Sequence, residues 1–86
     1  MTSSYCKYSQ HGIDWAEMLF RDFTEHPEWR GSKFSWKKFP DMAGGLARVN
    51  AALAFHSRPT VEQQDKCGQA AHNRAMELIA NEIANE

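Results

Sequence analysis

Residues 40–56 read PDMAGGLARVNAALAFH, and their spacing decides the fold. Met42, Leu46, Val49 and Leu53 recur at the 3.6-residue period of a helix, and His56 continues the line. Ala43, Ala47, Ala51 and Ala54 form a second, small-residue line. Only Arg48 and Asn50 are strongly polar in the body of the segment. Pro40 suits the first helical position, and Asp41 in the first turn complements the helix dipole. A helix that is apolar on two faces belongs in the middle of a bundle. The pattern therefore predicts a central helix over about 40–56, with its leucine face turned inward. Gly44 and Gly45 each cost about 1 kcal/mol of helix propensity relative to alanine. The pair either admits another segment at close range or marks a later helix start.

Upstream, residues 33–39 read KFSWKKF. Aromatic and basic residues alternate there, yet no second strand-like segment exists to pair with them, so the stretch is expected to be a connector or a turn of helix. His26-Pro27 and Gly31-Ser32 are chain breaks. Before them, Ile13, Ala16, Leu19, Phe20 and Phe23 share one face of a helix over about 13–24. Trp15 and Met18 widen that stripe on one side. Residues 1–12 are polar and are expected to be irregular.

Downstream, Ser57-Arg58-Pro59 ends the central helix. Thr60-Val61-Glu62-Gln63 fits a capping box, with Thr60 at the N-cap and Gln63 reaching back. A third helix is expected over about 60–84. Val61, Gly68, Ala71, His72, Ala75, Met76, Ile79 and Ile83 lie on its inward arc, and its small residues suit close packing on the alanine line of the second helix. The expected fold is all-α: a compact bundle of three main helices with a short aromatic and basic connector, as one small domain over 1–86.

The chain has 86 residues, 42% hydrophobic and 12% aromatic, which excludes a disordered polypeptide. A net charge of −1 excludes a histone-like binder and an extreme acidic mimic of DNA. The N-terminal stretch has no apolar signal region. The hydrophobic run Ala51 to Phe55 is far shorter than the roughly 20 residues a membrane-spanning helix needs. Two cysteines in such a chain are expected to be reduced thiols in a cytoplasmic protein.

Charge is laid out in blocks. Residues 1–29 hold two basic and five acidic side chains, residues 30–58 six basic and one acidic, and residues 59–86 two basic and five acidic. Neighbouring elements of opposite sign then attract within the fold. The middle block also offers a basic patch at Arg30, Lys33, Lys37 and Lys38, interleaved with Trp29, Phe34, Trp36 and Phe39. Aromatic and basic side chains combine in single-strand binding sites. In so small a chain, however, the aromatics are needed first to fill the core.

Cys6, His11, Cys67 and His72 are residue types that bind zinc. Their spacing lacks the usual short motif, and Cys67 and His72 lie about 140° apart around a helix, so no metal is expected. His56 and His72 fall on inward arcs as ordinary helix histidines. There is no Walker loop, no G-x-G-x-x-G, no H-E-x-x-H and no G-x-S-x-G. Neither a cofactor nor catalysis is expected.

What remains is a small protein–protein interaction module, a regulator or inhibitor of a larger protein or protein complex. Phage- and mobile-element-encoded regulators, anti-defence proteins included, often have this build. The alternative is a nucleic-acid-binding regulator using residues 29–39. Candidate partner-binding residues are Trp29, Arg30, Lys33, Trp36, Lys37 and Lys38 on the connector, with Trp15 and Met18 on the first helix.

Overall fold

A computed structural model describes residues 7–54 and 58–84. Four helices form among the described residues: α1 (Lys7–Glu25), α2 (Phe39–Ala54), α3 (Val61–Leu78) and the short α4 (Ala80–Ala84). Two 3-10 turns, Pro27–Trp29 and Trp36–Lys38, lie in the connector between α1 and α2. No strand forms among the described residues. The chain is an all-α bundle, as its periodicities predict. None of its described helices is long and apolar enough to cross a membrane. Cys6 and His56 lie outside the described residues.

The first helix starts earlier than its apolar stripe suggests. Residues 7–12 are helical, not irregular, because Tyr8 and Gly12 extend the buried line of Ala16. A Cβ on Gly12 would collide with the backbone carbonyl of Cys67, so α1 and α3 cross at near-backbone contact. The third helix is divided. Ile79 sits at φ −92° and ψ 5°, outside α geometry, and separates α3 from α4 while its side chain stays fully buried. The capping box at its start is formed on both sides: the Gln63 amide donates to Thr60 Oγ1 at 3.1 Å, and the Thr60 amide donates to Gln63 Oε1 at 2.8 Å.

The central helix is α3, not α2. It packs broadly on both α1 and α2, which touch each other less. The leucine face of α2 is not inward either. Leu46, Val49 and Leu53 are 38%, 67% and 80% exposed, whereas Ala43, Ala47 and Ala51 are fully buried. Helices that approach through glycine accept only small residues along the seam, and here Gly44 of α2 meets Gly68 of α3. Leucines in that seam would hold the helices apart. With three main helices, only one of the two apolar faces of α2 finds a cover. Val61 and Met76 of α3 are likewise exposed, against expectation.

Aromatic side chains supply the bulk that the alanine seams lack. Phe20, Phe23, Phe34, Trp36 and Phe39 form one cluster with ring centroids 4.9–6.3 Å apart, mostly tilted or edge to face. Phe39 is fully buried at its centre. Cys67 is buried too, and its Sγ donates to the Ala47 carbonyl at 3.3 Å, tying α3 to α2.

Candidate functional site

The connector between α1 and α2 has little regular structure, yet it is fixed at close intervals. The Arg30 amide donates to the Pro27 carbonyl at 3.1 Å and the Phe34 amide to the Gly31 carbonyl at 3.0 Å. Ser35 caps the second 3-10 turn, its Oγ accepting from the Lys37 amide at 3.2 Å. Arg30 folds inward: its Nε donates to the Phe23 carbonyl at 2.8 Å, and its guanidinium lies 5.0 Å from the Trp36 ring and 5.7 Å from the Phe34 ring. A cation over aromatic faces, with a carbonyl at its edge, is a structural staple.

These fixings sort the sequence candidates. Trp36 is a core residue, packed under Arg30 against Phe34 and Phe39, and is withdrawn from any binding surface. Arg30 is half-buried and spent on the fold. Lys33, Lys37 and Lys38 stay exposed, as does Trp29, 55% open and stacked on His26 with centroids 4.0 Å apart. Among the described residues, no carboxylate comes within ion-pair distance of the three lysines. Lys33 and Lys38 rim a cleft of about 200 Å³ whose floor includes Phe34, Phe39 and Met42.

Trp15 and Met18 lie elsewhere, half-buried on α1. With His11 and Asp14 they line a separate cleft of about 300 Å³. The Trp15 indole donates to His11 Nε2 at 2.9 Å, so its polar edge is already occupied.

Several basic side chains elsewhere do meet carboxylates, though Arg58 and Lys66 meet none among the described residues. Arg48 meets Asp65 at 3.0 Å and His72 meets Asp41 at 3.4 Å, both across the α2–α3 seam. They flank a cleft of about 520 Å³ floored by Gly44 and Gly68, which the sequence pattern did not reveal. Arg74 bridges α3 to α1 through Glu17 at 2.9 Å and also holds Glu77 at 2.8 Å. Those hydrogen bonds, to Glu77 first and then Glu17, raise its pKa above the ordinary arginine value. Of these contacts, Arg48–Asp65 joins the basic middle block to an acidic one as expected, whereas His72–Asp41 puts the acid on the middle block and Arg74–Glu17 links the two acidic blocks. Among the described residues, no three His, Cys, Asp or Glu side chains gather as a metal-binding group. Comparison with protein families, with curated proteins and with solved structures finds no match for the chain.

Proposed function

We propose that this chain is a non-catalytic protein–protein interaction module, a regulator or inhibitor of a larger protein complex, working in the cytoplasm. Lys33, Lys37 and Lys38, with Trp29 exposed on the same connector, form the binding face, and the partner offers an acidic surface. One contrast supports the reading. Arg48 and Arg74 on the helices pair with carboxylates of neighbouring elements, while these three lysines, clustered and exposed on one short segment, have none among the described residues, a lack they share with the scattered Arg58 and Lys66. They project from a segment that Arg30 and Ser35 hold in place, so little ordering entropy is lost on binding. Basic residues on a rigid loop that also carries an exposed tryptophan match the make-up of interface anchors. An anti-defence role of the kind phage-encoded regulators perform falls within this reading.

The test is charge reversal. A Lys33→Glu/Lys37→Glu chain should bind the acidic protein recovered with the parent at least about tenfold more weakly, through slower association and faster release. Its thermal midpoint should not move, since such surface changes shift stability by less than about 0.5 kcal/mol. Equal binding by the two chains would make the lysines a merely solvated face. A steep linear fall of log K with log salt would instead indicate phosphate contacts and a nucleic-acid partner.

A further inference from the structure

We infer that the outer face of α2 pairs two copies of this chain, antiparallel and about a twofold axis. Met42, Leu46, Val49 and Leu53 follow one another at spacings of four, three and four residues, the seam pattern of paired helices. The last three are exposed to a degree that an isolated domain has no internal reason to keep. No charge interrupts the face. Asp41 and Arg48, the charged residues of α2, turn away to pair with His72 and Asp65 on α3.

Gly45 is the second observation. Its neighbour Gly44 is tightly placed, since a Cβ there would lie 3.1 Å from the Gly68 carbonyl oxygen. Among the described residues, a Cβ on Gly45 would meet nothing within 4 Å. A glycine in mid-helix weakens the helix, and among the described residues no close neighbour repays it. On the outer face it gains a close approach by another backbone.

The occupant is argued from symmetry, charge and size. The order 42, 46, 49, 53 reads the same in both directions. An antiparallel second copy therefore places its Leu53 over Met42, its Val49 over Leu46 and its Ala52 over Gly45, large residues on large and small on small. A twofold interface must be self-complementary in this sense. The net charge of −1 leaves little repulsion between copies. From Met42 to Leu53 the seam is about 17 Å long at 1.5 Å per residue. That places it with the small interfaces, below about 1,200 Å², which associate weakly and reversibly.

Sedimentation of the full chain between about 5 and 500 µM tests this, a range that brackets a weak dimer. The average mass should rise from the 9.8 kDa of one chain toward twice that value. Val49→Glu and Leu53→Glu should remain at one chain throughout, with an unchanged helical CD spectrum. Gly45→Gln should raise the thermal midpoint in dilute solution, because glutamine favours the helix, yet weaken pairing at least about tenfold by blocking close approach. A single-chain mass at every concentration overturns the proposal. So does a dimer that survives both glutamate substitutions. The Lys33→Glu/Lys37→Glu chain should pair like the parent, so this surface and the connector are read separately.

Discussion

Gly44 of α2 and Gly68 of α3 face each other so closely that a Cβ built on either would lie 3.1 Å from the other's carbonyl oxygen. The crossing of these helices is set by two absent side chains. Gly12 does the same for α1 against Cys67.

Glycine-to-alanine substitutions should therefore divide by position. Gly12→Ala forces α1 off a backbone carbonyl and should lower stability by about 1–3 kcal/mol, as overpacking does, despite the gain in helix propensity. Gly45→Ala meets open space and should raise stability by up to about 1 kcal/mol. Urea unfolding midpoints measured in dilute protein check both signs.

Large-to-small substitutions should divide in the same way. Phe39→Ala empties the centre of the aromatic cluster and should cost about 3–5 kcal/mol. Leu53→Ala removes a side chain that is 80% exposed and should cost less than about 0.5 kcal/mol in dilute solution. Comparable losses from the two would put Leu53 inside the bundle.

Arg30 should matter to folding more than a surface cation does. Arg30→Lys keeps the charge but loses the guanidinium plane over Trp36 and the Nε donor to Phe23. A loss of about 1–2 kcal/mol is expected, from one hydrogen bond and a partly shielded cation–π contact. A calorimetric midpoint equal to the parent's would mean the staple contributes nothing.

Cys67 should be chemically silent in the folded chain. It is fully buried, with its thiol donating to Ala47. In a Cys6→Ser background, labelling by an aromatic disulfide should proceed only as fast as the chain opens, and should speed up with denaturant. Rapid labelling in buffer would show that the α2–α3 seam breathes.

The helical period of each segment was legible in the sequence, and so were the capping box at Thr60 and the role of Gly68 and Ala71 in close packing. The choice between the two faces of α2 was not. Periodicity identifies faces, and hydropathy ranks leucine above alanine for burial. The glycine crossing reverses that ranking, because distance between backbones decides it. The early start of α1 was hidden for a related reason. Only Tyr8 and Gly12 mark the inward side of residues 7–12, and glycine reads as a break until its neighbour across the seam is known. On the connector, the exposed lysines were foreseeable from their charge. The capture of Arg30 by Phe23 and the burial of Trp36 depend on α1 passing over them.

Because α3 is the element on which both α1 and α2 rest, the order of synthesis matters. Residues 7–54 reach solvent before the helix that completes their packing exists. Isolated helices of this length are marginal in water, so the early part of the chain gains little lasting structure during translation. Ribosomes add about 5–20 residues per second, slow compared with the microsecond-to-millisecond folding of helical bundles. The whole bundle should then close in one late step, once residues 61–78 have emerged, and ribosome-bound chains stopped before that point should remain open to protease.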